Sequence, residues 1–215
     1  MWPFKKKNKL DHNQPKQSNL NWIPVGSGNP FNEPIMDIRS ITLTMVSTTK
    51  DPAVAENYTQ SRQSIGKEFI NQSPASPKSY KTEFSYPHNG TELEGVVFKS
   101  PTMEIKWDIY AYEEWFYFVR SWTSDLIFKA KYENTGDALI FREIVASDSA
   151  IEEDAQTVHS IMLTHALGRV WPFHVPIHMR EMPAKNLALA MFSQYGSKAT
   201  VITHANVFDI KLIDQ

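Results

Sequence analysis

Glu104-Ile105-Lys106-Trp107-Asp108-Ile109-Tyr110-Ala111-Tyr112-Glu113-Glu114-Trp115-Phe116-Tyr117-Phe118-Val119-Arg120-Ser121-Trp122 is the stretch on which the fold turns. Side chains alternate between the two sides of a strand. With a two-residue turn at Glu113-Glu114, Ile105, Trp107, Ile109, Ala111, Phe116 and Phe118 share one side, which reads as core. The other side holds Lys106, Asp108, Tyr110, Tyr112, Trp115 and Tyr117, with Tyr112 opposite Trp115 and Tyr110 opposite Tyr117. Glu-Glu is a poor tight-turn pair, and a slip of one residue would exchange the two sides.

On both flanks the strand signals continue. Residues 79–86 and 91–99 flank His88-Asn89-Gly90, and 126–133 and 138–146 flank Asn134-Thr135-Gly136, so two more hairpins are expected. Upstream, Ile41, Leu43 and Met45 alternate with Thr42, Thr44 and Val46, a strand signal. Asp51-Pro52 then opens a helix expected to run over 52–70, with Val54, Tyr58, Ser61, Ile65 and Phe69 facing inward. A second helix starts at Ser149, capped with Glu152, buries Ile151, Ala155, Val158, Met162 and Ala166, and stops at Gly168. Residues 169–182, with Pro172 and Pro176, must be extended; a third helix is expected over 183–195, closed by Gly196, and a terminal hairpin over 198–204 and 207–213. The expected class is α+β: an antiparallel sheet of about six strands packed with two or three helices, with an extra C-terminal helix and hairpin.

This order resembles the PsbP-like family. The residues that carry the likeness are Ile41–Val46, the helix after Asp51-Pro52, the meander 79–146, and Ile144-Val145-Ala146-Ser147-Asp148-Ser149 entering a helix, over roughly residues 37–168. The resemblance implies an α/β/α sandwich and a binding role. Members of that family bind photosystem subunits, a Ran-type GTPase or secreted effectors, and the inference is by analogy.

In the 215 residues, 41% hydrophobic and 12% aromatic content suits a packed domain, expected over 37–215, with residues 1–36 as a flexible arm. A net charge of -2 argues against nucleic acid as a partner. The lack of cysteine removes disulfides, thiolate nucleophiles and thiolate metal sites, and fits a cytoplasmic chain. Trp2 and Phe4 beside Lys5-Lys6-Lys7-Asn8-Lys9 could touch an anionic membrane surface, or be a solvated tail.

Catalytic patterns are thin. His174 and His178 have zinc-pair spacing only on a helix, and Pro176 lies between them; extended, they stand about 13 Å apart. His159 and His165 are six residues apart on a helix and face differently; either could act as a base with Glu153 or Glu143, or be structural. Glu92 and Glu94 share a strand face about 7 Å apart, beside a turn where carboxylates are usually solvated. Gly26-Ser27-Gly28 lacks the preceding strand that a nucleophile elbow needs.

No metal or cofactor is therefore expected. The leading expectation is a non-enzymatic protein-binding or accessory protein, chaperone-like or toxin-immunity-like. Its partner would meet Tyr110, Tyr112, Trp115, Tyr117, Lys106 and Asp108, unless a helix covers that face. The alternative is a hydrolase-like enzyme with a His/carboxylate site.

Overall fold

The computed structural model describes residues 20–147 and 151–213. The chain begins with strands β1 (Trp22–Ile23) and β2 (Ile35–Asp37), a short helix α1 (Arg39–Thr42) and helix α2 (Pro52–Ser61). A meander follows: β3 (Pro77–Pro87), β4 (Gly95–Phe98), β5 (Trp107–Tyr112), β6 (Trp115–Arg120), β7 (Leu126–Asn134) and β8 (Ala138–Ser147). Helix α3 (Ile151–Ile161) runs into a π turn, Met162–Ala166, and the chain closes with β9 (Phe173–His174), α4 (Ala184–Tyr195) and β10 (Val201–Thr203). This is an α+β fold.

Six strands form the main antiparallel sheet in the order β3-β8-β7-β6-β5-β4. Glu113 and Glu114 make the two-residue turn with φ of 51° and 63°, so Tyr112 pairs with Trp115 and Tyr110 with Tyr117, as the alternation predicts. Trp107, Ile109, Ala111, Phe116 and Phe118 join the core, which lies between this sheet and α3 and α4. Ala155, Val158 and Met162 supply the α3 stripe, and Gly168 turns the chain at φ 63°. Ser149 lies outside the described residues, as do Trp2, Phe4 and Lys5–Lys9, so the expected capping box and membrane-touching cluster do too. Among the described residues no helix is long and apolar enough to cross a membrane.

A second sheet, β1-β2-β10-β9, departs from the expectations. Residues 20–36, read from composition as the end of an arm, are part of the fold: Phe31, Ile35 and Met36 are buried, and Met36 pairs with both Trp22 and Ile202. The terminal hairpin does not form. Val201–Thr203 instead runs antiparallel to β2 and parallel to β9. After Thr203, side chains capture the backbone that a return strand would need: Gln156 Oε1 accepts from Val207 N and Asn206 Oδ1 from Phe208 N.

Residues 41–46 form no strand either. Asp37 Oδ1 accepts from Arg39 N, Thr42 N donates to Ile38 O, and the chain turns into α1 before running irregularly to residue 50. Nor do residues 79–86 pair with 91–99. Strand β3 pairs with β8, and β4, on the far edge, pairs with β5. The Asn89-Gly90 pair does provide a positive φ, but for a crossing: at Gly90 a Cβ would stand 2.9 Å from Gly136 O, and residues 88–94 pass the β7–β8 turn, bonded to Asp137 O and to Asn134 Nδ2. The helix expected over 52–70 ends at Ser61. Asp51 does accept from Ala53 N at its start, but Gly66 (φ 89°) bends the chain before a 3₁₀ turn, Lys67–Phe69.

Candidate functional site

The face expected to meet a partner is covered by the chain itself. Lys106, Asp108, Tyr110, Tyr112 and Tyr117 are all buried, and only Trp115 is half-buried, under the Lys129 ammonium at 4.5 Å. Residues 62–72 lie across them. Phe69 stacks on Tyr110 at 5.6 Å, and the Tyr112 hydroxyl donates to Ile65 O at 2.8 Å. Gly66 sits so close that a Cβ would come within 2.3 Å of the Tyr110 ring. The face is thus covered, though by a bent segment with one 3₁₀ turn where a helix was the expected cover, and these tyrosines form a second small core.

Asp108 holds that cover down. Its carboxylate accepts from Arg62 at 2.7 Å and from Ser100 N at 2.8 Å, with the Lys99 ammonium at 3.3 Å. Arg62 also donates to Ser100 O and Ser121 O, and Lys99 donates to Ser64 O and to the Tyr110 hydroxyl. A buried carboxylate with this many donors is an internal staple between residues 58–66 and the sheet. Burial lowers the Lys99 pKa against the pull of Asp108 and raises that of Tyr110.

Lys106, the first residue of that face, also lines an open groove. About 480 Å³ of space lies between residues 45–48 and α4. Its walls are apolar at Met45, Val46, Leu189 and Phe192, with Trp122 beside them. Val46 is 76% exposed and Leu189 37%, and Leu43, just upstream, is 59% exposed. The groove lining contains two cations, Lys106 and Arg120, and no carboxylate.

Each cation has a structural reason to be there. The Lys106 ammonium donates to Ser47 Oγ at 2.7 Å and Met103 O at 2.8 Å, and stands over the Trp122 and Phe192 rings at 4.3 and 5.1 Å. Burial, then repulsion from Arg120, lowers its pKa to about 8, with Glu104 opposing. Arg120 lies against the Trp107 ring at 4.9 Å and donates to Gln194 O and Ser193 O, the carbonyls that end α4. Burial lowers its pKa also. The groove thus combines apolar walls with a cationic floor, a setting for an anionic group carried on an apolar body.

The catalytic candidates do not converge. His159 Nδ1 is 3.1 Å from the Tyr86 hydroxyl, among Phe84, Trp171 and Phe208, and burial alone lowers its pKa to about 4. His165 Nδ1 meets the Thr164 hydroxyl at 2.8 Å, with its ring edge-on to Phe98, and its pKa falls to about 3, chiefly by burial. No carboxylate contributes to either shift. Glu153 Oε1 accepts weakly from Ile177 N, and Glu143 stands between Lys81 and Lys131 on the sheet.

His174 and His178 fall on β9 and a 3₁₀ turn, and His174 Nδ1 is bonded to Ala205 O. His204 is half-buried with its ring 4.2 Å from that of Trp22. Glu92 and Glu94 are on no strand; both line an open cleft of about 760 Å³ with Glu113, Glu114 and Glu133. Among the described residues no group of three or more His, Asp or Glu could hold a metal ion. No family model, curated protein or solved structure matches the chain.

Proposed function

We propose that this chain is a non-enzymatic accessory protein, chaperone-like or immunity-like, and that its partner is another protein which docks a short segment in the Val46–Leu189 groove. The observation that carries the reading is the conjunction of exposed apolar side chains at Leu43, Val46 and Leu189 with a floor of Lys106 and Arg120. Exposed apolar walls around a desolvated cation favour a segment with apolar side chains beside an acidic residue or a terminal carboxylate. The element order that resembles the PsbP-like family favours binding too, by analogy, although residues 41–46 depart from it in having no strand.

A photo-crosslinking residue at Val46 tests this in the full chain expressed in its own host. The crosslinked species should be one protein, absent when the same residue replaces the exposed Lys211, in the irregular segment after β10. Val46→Asp and Leu189→Asp, which put carboxylates into the walls that meet the partner's apolar side chains, should each weaken capture of that protein about tenfold or more. If both variants capture it as the wild type does, the groove is not the docking site.

A further inference from the structure

Strand β3 is the longest among the described residues and the outermost of its sheet. Its residues read Pro77-Lys78-Ser79-Tyr80-Lys81-Thr82-Glu83-Phe84-Ser85-Tyr86-Pro87. One side of its backbone pairs with β8, and among the described residues no strand pairs with the other. Despite a register shift against β8 between Lys81 and Phe84, burial alternates without a break: Tyr80, Thr82, Phe84 and Tyr86 turn toward the core, and Ser79, Lys81, Glu83 and Ser85 are exposed. The outward edge is therefore long, with its irregularity confined to the register shift beside Thr82. Such an edge is a ready template for another strand.

The sequence of that edge is chemically self-complementary about Thr82. Read outward from Thr82 in both directions, Lys81 is matched by Glu83, Tyr80 by Phe84, Ser79 by Ser85, and Pro77 by Pro87, with Lys78 and Tyr86 the one unlike pair. A two-fold axis through Thr82, perpendicular to the sheet, would place two copies of β3 antiparallel and bring those matched residues directly opposite each other. Lys81 of each copy would face Glu83 of the other, so two opposite-charge pairs form by symmetry on the exposed face. Tyr80 would face Phe84 on the core side, twice. Thr82 would face its own symmetry mate.

Two further details fit this arrangement. The Thr82 hydroxyl is buried and has no hydrogen-bond partner among the described residues, and a threonine opposite a threonine is a pair that bonds across strands. Lys81 has no ion pair among the described residues, and Glu83 has only Arg142 at 3.6 Å, with its side chain 86% exposed. The prolines at both ends confine pairing to the residues between them. Because a two-fold consumes the β3 edge of both copies, and the other edge of the sheet is the four-residue β4, assembly stops at two.

We infer that β3 is a homodimerisation edge: two copies of this chain join β3 to β3 antiparallel about Thr82, making one continuous twelve-stranded sheet. A charge swap tests it with the full chain. Sedimentation velocity across the micromolar range should show a reversible dimer. Lys81→Glu should set two carboxylates opposite each other twice per dimer and weaken self-association about tenfold or more. Glu83→Lys should do the same with two ammonium groups. The double variant Lys81→Glu/Glu83→Lys restores both pairs in reversed sense and should recover the dimer. Both positions of the experiment carry exposed side chains, and far-UV circular dichroism checks that the fold is kept. A chain that stays monomeric throughout, or a dimer indifferent to both single reversals, overturns the inference. Neither outcome touches the groove, which is read by crosslinking at Val46.

Discussion

His159 and His165 are both held neutral inside the folded chain by burial, and their neighbours differ. The Thr164 hydroxyl donates its one proton to Ser160 O, so it accepts from His165 Nδ1–H and leaves the Nε2 lone pair of His165 buried without a partner among the described residues. Protonation would put an N–H there with nothing to receive it. With folded pKa values near 3 and 4 against the ordinary 6.5, the unfolded chain binds protons that the folded chain refuses. Stability is therefore intact above pH 6.5 and falls as pH drops from there to about 4, by about 1.4 kcal/mol per pH unit for each histidine. Urea unfolding at a series of pH values should show this slope, and His165→Leu should remove about half of it. An unchanged slope in that variant would place the proton uptake elsewhere. The six-residue spacing did foretell that the two rings face different neighbours. Asp108 was not legible in the same way. As an alternating charge it reads as solvent-facing, because its partner Arg62 is 46 positions away and nothing local announces the pairing.

At the scale of elements, the β5–β6 hairpin carries a cost that its sequence does not hide. Both glutamates of the turn have positive φ, the geometry of a type I′ turn that Asn and Gly adopt readily and Glu does not. Glu113→Asn combined with Glu114→Gly should stabilise the chain by about 1 kcal/mol, seen as a higher urea midpoint at unchanged slope. A lower midpoint would mean that the carboxylates themselves support the turn. This hairpin, the β7–β8 hairpin, α3 and α4 could be read from periods of two and 3.6 because both faces of each element keep one kind of neighbour. The turn at Asn89-Gly90 misled for a related reason. Asn-Gly specifies a backbone dihedral and says nothing about which strand comes next, and here the close pass over Gly136 consumed it. Residues 41–46 misled because the segment divides its apolar side chains instead of laying them on one sheet face: Ile41 packs against the core, Met45 and Val46 line the groove, and Leu43 is exposed. That same misfit, apolar residues on both sides of a segment flanked by polar ones, was the available signal for the groove.

Across the whole molecule, the small sheet ties the start of the described chain to its end. Strand β2 lies between β1 and β10, the Thr203 hydroxyl donates to Pro34 O, Ile213 N donates to Pro30 O, and Asn32 bridges to Asp209 and Lys211. Composition missed this because residues 1–36 read as one polar stretch, whereas Phe31, Ile35 and Met36 near its end are buried together with Val201, Val207 and Ile210 or against the main core. The turns between them are fixed by polar groups, with Asn29 Oδ1 accepting from Phe31 N and Asn29 Nδ2 donating to Glu33 O. A chain beginning at Ile38 loses three buried side chains worth about 1.5–3 kcal/mol each, against a total stability of about 5–15 kcal/mol for an ordinary domain. It also strips β10 of its antiparallel neighbour and leaves Val201 and Ile202 facing water. Such a chain should keep far-UV strand signal from the six-stranded sheet, whose register depends on none of the missing residues, while its near-UV signal weakens and its denaturation loses cooperativity. Were its urea midpoint and slope instead equal to those of the full chain, the small sheet would be an ornament on an independent core, and the N-terminal segment would be the arm that its composition suggests.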